Sequence, residues 1–225
     1  MEYVEIARAE SERGETVLRA GNDEGPRAFE LRVNGIFVMD TVETSTERAL
    51  ARQALKLLEE PQRVLVGGLG LGFTMHEVLA DPRVEECTVI EIEPALVGWM
   101  RDGTIPHGPR MLADDRLRIV VADVAKALAE APEATYDLVL LDVDNGPGYL
   151  VYDANAAIYR EPFLDTCRRA LEPGGALVIW SADEAPELEE SLRSVFGRAR
   201  ASLHDVDLGD RSEQYWLYVA RRASS

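Results

Sequence analysis

From Arg63 onward, short apolar runs alternate with helical segments, and that alternation restricts the chain to a mostly parallel sheet with crossover helices. Strands are expected at 63–67, 87–92, 117–121, 136–142, 175–180, 201–206 and 214–220. Helices are expected at 73–80, 94–101, 123–130, 155–171 and 186–196. Val64–Val66 and Leu138–Leu141 are unbroken apolar runs, the pattern of strands covered on both faces. The last two strands are joined around Gly209-Asp210-Arg211. A link that short fits a hairpin, so the sheet is expected to end on an antiparallel strand. The expected class is α/β: a doubly wound, mostly parallel, seven-stranded sheet.

Residues 1–44 read as a separate β-hairpin region ahead of an α/β domain at 45–225. Tyr3–Ala7, Glu15–Arg19 and Phe29–Val33 alternate with period two, as half-buried strands do. Gly21–Pro26 is a cluster of turn residues, and Asn34-Gly35 is a hairpin signal from which Ile36–Met39 returns. This small antiparallel appendage has no obvious core of its own and must pack on the main domain or on a second copy. A helix then begins at Thr44 or Ser45, with Leu50, Ala54, Leu57 and Leu58 on one face and Pro61 as its stop.

Ligands of such sheets bind beyond the carboxyl ends of the strands, so four strand ends carry the functional reading. The first runs into a loop containing Gly67, Gly68, Gly70 and Gly72. A backbone that must touch a ligand carries no Cβ there, and the following helix start offers free N–H groups. The second ends on Glu91, Ile92 and Glu93; Glu91 lies 19 residues after Gly72, where such folds hold a ribose diol. The third ends on Asp123, beside Val124, which serves a ligand or simply caps a helix. The fourth ends on Asp142, directly after an apolar run, followed by Asp144 and Asn145. Those two reach a substrate or form the turn completed by Gly146-Pro147-Gly148. Tyr149 and Tyr152 line an acceptor pocket or cover the loop.

Charge narrows the ligand classes. The net charge is −17, which repels nucleic acid and favours cationic small molecules, or else serves solubility alone. Cys87 and Cys167 lie on different expected elements and read as reduced thiols of a cytoplasmic protein. No apolar run is long enough to span a membrane, and the first residues lack a signal-peptide pattern. His76, His107 and His204 stand alone, so no metal site is expected.

Taken in order, these motifs resemble the class I S-adenosylmethionine-dependent transferases, and among them the spermidine synthases, or polyamine aminopropyltransferases. The resemblance runs from Leu31 to Ser181. It includes Leu31-x-Val33-Asn34-Gly35, the Gly67–Gly72 loop, His76–Leu79, Val84, Ile90–Glu93, Asp115–Leu117, Ala122-Asp123, Tyr136–Leu138 through Asp142, and Leu171–Gly175. It implies that Glu91 binds ribose hydroxyls and Asp123 the adenine amino group. The glycine loop would pass under the sulfonium side chain, and Asp142 would sit beside the reacting centre. It also implies a co-substrate, S-adenosylmethionine or its decarboxylated form, and a homodimer paired through the N-terminal strands.

The departures fall on the acceptor side. Counting from Gly35, the family's polyamine-site glutamine falls on Val38, its Asp-Glu pair on Glu43 and Thr44, and its Tyr-His-Glu on Glu47, Arg48 and Ala49. The acid usual within the glycine loop falls on Gly70, and Asp-Ser-Ser-Asp-Pro becomes Asp142-Val143-Asp144-Asn145-Gly146. Three functions remain open. One is aminopropyl transfer to a small amine, with Asp142 or Asp144 as base and Glu43, Asn145, Tyr149 and Tyr152 at the acceptor. Another is methyl transfer from intact S-adenosylmethionine, which the absence of an acid at Gly70 permits. The last is a silent nucleoside-binding homologue. A dinucleotide oxidoreductase fits poorly, because Phe73 stands where a third glycine is needed.

Overall fold

The computed structural model describes residues 2–21, 27–207 and 212–224. Four strands, β1 (Tyr3–Ser11), β2 (Gly14–Gly21), β3 (Phe29–Val33) and β4 (Ile36–Asp40), form an antiparallel sheet in chain order. Asn34 and Gly35 both take positive φ, 51° and 76°, as the tightest hairpin turn between right-twisted strands requires. The turn residues Asn22–Pro26 lie outside the described residues.

After α1 (Ser45–Leu55) come β5 (Arg63–Gly67), α2 (Phe73–Leu79), β6 (Glu86–Glu91), α3 (Pro94–Asp102), α4 (Gly108–Met111) and β7 (Leu117–Val121). Then follow α5 (Val124–Glu130), β8 (Tyr136–Leu141), a 3-10 helix (Asp153–Tyr159), α6 (Glu161–Ala170), β9 (Leu171–Ser181), α7 (Pro186–Phe196), β10 (Ala199–Asp207) and β11 (Ser212–Arg221). The seven strands are ordered β10-β11-β9-β8-β5-β6-β7. The five from β9 to β7 are parallel, and β11 runs antiparallel between β9 and β10. The sheet therefore ends on a hairpin; its connecting loop at Gly209-Asp210-Arg211 is outside the described residues. Strand order reverses at β5, which pairs with β6 on one side and β8 on the other.

The periodicity of β5 explains the two-sided core. Val64 and Val66 join one buried cluster and Leu65 the other. The first cluster also takes Leu18, Leu31 and Met39 from the small sheet and Leu50 and Ala54 from α1. The small sheet thus shares the main core, the first of the two packings its sequence left open. Cys87 and Cys167 are buried free thiols on opposite faces of the large sheet.

Three elements differ from expectation. The helix expected at 155–171 is two pieces separated at Arg160, whose extended backbone (φ −106°, ψ 156°) precedes Pro162 in the first turn of α6. Proline lacks the N–H that a helix interior needs and suits a first turn. Helix α1 ends at Leu55 rather than running to Pro61; Leu57 and Leu58 still pack on the core. Helix α4 has only four residues, too few to leave a periodic signal.

Candidate functional site: a carboxylate-lined cavity at the strand ends

The glycine loop is held between two neighbouring strand ends. Gly68 donates to the Ile90 carbonyl at 2.9 Å, and Asp142 N–H to the Gly67 carbonyl at 2.9 Å. At Gly68, φ is +94° and a Cβ would stand 2.1 Å from the Asp142 carbonyl oxygen, so only glycine lets the loop lie this close. At Gly70, φ is +50° and a Cβ would stand 2.6 Å from Met39 Sδ. The small sheet thus fills the position that the resemblance assigns to an acid. Leu71 N–H also points at Met39 Sδ, at 3.1 Å, and His107 Nε2 bonds the Leu71 carbonyl at 2.8 Å.

Glu91 lies at the end of β6 and is buried. Its Oε2 accepts from Leu69 N–H and its Oε1 from Glu93 N–H, each at 2.8 Å. Burial pushes its pKa up, and these amide bonds oppose the push. A carboxylate has about four lone-pair sites, so both oxygens retain acceptor capacity. Glu93 has a different task. Its Oε1 accepts from Arg13 Nε at 3.0 Å, Ser11 Oγ at 3.3 Å and Tyr152 Oη at 3.3 Å. It ties the β1–β2 turn and the loop after β8 to the end of β6, and Arg13 Nη2 adds a bond to the Ile92 carbonyl at 2.8 Å.

Asp123 caps α5: its Oδ1 accepts from Ala125 N–H at 2.7 Å and Lys126 N–H at 3.4 Å. It lines the cavity as well. Asp142 accepts the Thr74 hydroxyl on Oδ2 at 2.7 Å, and burial raises its pKa. Asp144 is buried and occupied on both oxygens, by Val151 N–H at 2.8 Å and Asn155 Nδ2 at 2.9 Å, with Tyr159 as a further partner. Burial pushes its pKa up to about 6 despite these bonds. It anchors the 145–155 loop. These side chains surround a cavity of about 240 Å³. Glu47, Glu91, Glu93, Asp123, Asp142 and Asp144 line it and, among the described residues, no lysine, arginine or histidine does.

The model of the spermine/spermidine synthase domain matches residues 43–202, most of the chain. The chain belongs to the spermine/spermidine synthase family. It is 28% identical over 163 residues to polyamine aminopropyltransferase 2 of Pseudomonas aeruginosa, covering 68% of this chain and 44% of that protein. It is 29% identical over 122 residues to putrescine N-methyltransferase 3 of Nicotiana tabacum, covering 53% of this chain and 30% of that protein. The chain thus spans less than half the length of these relatives. The spermidine synthase structure from Thermotoga maritima superposes with a TM-score of 0.81 at 19% identity, covering 98% of this chain and 74% of that one. That likeness establishes the fold, a small antiparallel sheet beside a mostly parallel seven-stranded one.

The fold gathers most of the residues singled out from the sequence. Gly68, Gly70, Glu91, Ile92, Asp123, Val124 and Asp142 line one cavity, as do Asp144, Asn145 and Tyr152. Four others fall outside its lining. Gly67 packs beneath Leu141 and Val124, and Gly72 among Met75, Met100 and Met111. Glu43 turns its carboxylate onto Ser45 N–H at 2.6 Å, satisfying the start of α1. Tyr149 is 61% exposed. Residues not singled out as ligands take part instead: Glu47 and Thr46 from α1, Thr74 from α2, and Trp180, whose indole N–H is buried without a partner. Glu47 had a signal in the sequence, an acid where the family carries tyrosine.

Proposed function

We propose that the protein moves an aminopropyl group from a decarboxylated S-adenosylmethionine-type sulfonium to a small amine. One observation carries this reading: six carboxyl groups line the cavity and, among the described residues, no basic side chain does. The decarboxylated donor is cationic at its sulfonium and at its amine, and the acceptor arrives as an ammonium. Both are drawn to such a field. The carboxylate of an intact donor would sit among like charges, with no cation to meet it.

In this reading the glycine loop lies under the donor, Glu91 accepts from the ribose hydroxyls, Asp123 meets the adenine, and Asp142 is the carboxylate at the reacting end. The acceptor amine loses a proton to a carboxylate there. Its nitrogen then attacks the carbon beside the sulfonium, and the C–S bonding pair returns to sulfur, leaving a neutral thioether. The protein's main contribution is to hold the two reactants in line. Reduced, buried Cys87 and Cys167 suit a cytoplasmic protein. Val4, Ile6, Ile36 and Phe37, each about 40% exposed on the small sheet, suit pairing of two copies there, which sedimentation tests.

A second reading is methyl transfer from intact S-adenosylmethionine. Gly70 favours it, because no acid stands there to repel a carboxylate, and the chain has putrescine N-methyltransferases among its relatives. The test is incubation with each donor and a panel of primary amines, followed by mass analysis of the nucleoside product. Methylthioadenosine from the decarboxylated donor supports aminopropyl transfer. S-adenosylhomocysteine supports methyl transfer. Nucleoside binding with neither product leaves a silent homologue.

A further inference from the structure

We propose that Glu47 is a second carboxylate of the acceptor site, standing beside Asp142 and taking the acceptor amine's proton. The inference rests on the transferase reading above. Glu47 occupies the first turn of α1 and lines the cavity together with Asp142 at the end of β8. Thr74 stands between the two elements: its hydroxyl donates to Asp142 Oδ2 at 2.7 Å and its oxygen lies 3.4 Å from the Glu47 carbonyl oxygen. Thr46 Oγ donates to Glu47 Oε2 at 2.7 Å, which orients the carboxyl group and leaves Oε1 for a ligand.

Among the described residues, no cation lines the cavity beside Glu47. Asp142 and Glu43 repel its negative form, and Asp40 is turned onto the amides of Val42 and Glu43. Arg48, its neighbour in sequence, bonds Glu77 at 3.3 Å and lies 5.1 Å over the Phe73 ring. Arg52 bonds Glu77 as well. Burial first, and Asp142 second, push the Glu47 pKa up to about 7. Two carboxyl groups in one poorly solvated site share a proton rather than both ionising. An incoming ammonium supplies the missing positive charge and releases that proton.

The transfer then balances. The acceptor enters as R–NH3+ and passes one proton to ionised Glu47, becoming R–NH2. Its lone pair forms the new C–N bond while the C–S pair returns to sulfur. The product leaves as a secondary ammonium, and Glu47 gives its proton to water, one per turnover. Asp144 is a poorer candidate for the base, since three donors, Val151 N–H, Asn155 Nδ2 and the Tyr159 hydroxyl, already bond it.

The experiment is calorimetric titration of 1,4-diaminobutane into the methylthioadenosine complex, in two buffers of different ionisation enthalpy. At pH 7 the wild type is expected to release a fraction of a proton per amine, and the Glu47→Gln variant clearly less. Glu47→Gln is also expected to bind methylthioadenosine within about twofold of wild type and to lose about 10²–10⁴-fold in kcat/KM for the amine, with Glu47→Asp recovering part of the loss. Equal proton release by wild type and Glu47→Gln, no amine binding by the wild type, or kcat/KM retained by Glu47→Gln would each overturn the proposal. The transferase reading fails separately. Wild type that binds the amine with proton release, yet makes no aminopropylated product, keeps the Glu47 amine site and removes the donor assignment.

Discussion

A carboxyl group whose pKa is pushed up to about 7 makes stability depend on pH with a definite sign. The folded value for Glu47 lies above its ordinary 4.5. Its favourable contribution is therefore complete below about 4.5 and is lost as pH rises through about 7. Glu47→Gln removes this titration. The variant is expected to match wild type near pH 4.5 and to be about 1–3 kcal/mol more stable at pH 8, measured by urea unfolding at both pH values. A difference that does not change with pH would mean that Glu47 is as well solvated folded as unfolded. Gly70 makes a second residue-level case. Gly70→Ala forces a Cβ to within 2.6 Å of Met39 Sδ at a positive φ. The expected loss is about 1–3 kcal/mol in thermal unfolding, with weaker methylthioadenosine binding. An unchanged melting temperature would show that Met39 gives way without cost.

Among the elements, the loop that follows β8 is held by one side chain, Asp144. Asp144 accepts from Val151 N–H and from Asn155 Nδ2, and so folds the segment that carries Asn145 and Tyr152 to the cavity. Asp144→Asn sets an amide donor against the donor of Asn155. It is expected to cost about 1–3 kcal/mol and to speed hydrogen exchange across residues 146–155 while sparing α6. Exchange rates identical to wild type would place the loop's anchor elsewhere. Elements with strong local signals were legible in the sequence: Asn34-Gly35 makes its hairpin, and the glycine loop sits between β5 and α2. The split at Arg160 was not, because apolar residues of the 3-10 helix and of α6 continue one another in spacing and only Pro162 marks the break.

At the scale of the molecule, a net charge of −17 and an acidic cavity act in the same direction on a cationic ligand. Raising salt from about 20 to 500 mM is expected to lower kcat/KM for an amine by about tenfold, mostly through KM. A flat profile would confine the useful charge to buried groups that salt does not screen. The sequence by itself determined the α/β class, the parallel strands, the glycine loop and the acids at the strand ends. Each follows from local periodicity or from a backbone that tolerates no Cβ. Only the tertiary structure decided which acids remain available to a ligand. Packing turns some of them onto protein donors, as the 145–155 loop does to Asp144 and Arg13 with Tyr152 does to Glu93, while Glu91 keeps acceptor capacity beside its two amide bonds. Glu47 and Asp142 line one cavity because α1 packs against α2 and the end of β8, with Thr74 between them, a contact between distant parts of the chain that no local pattern encodes.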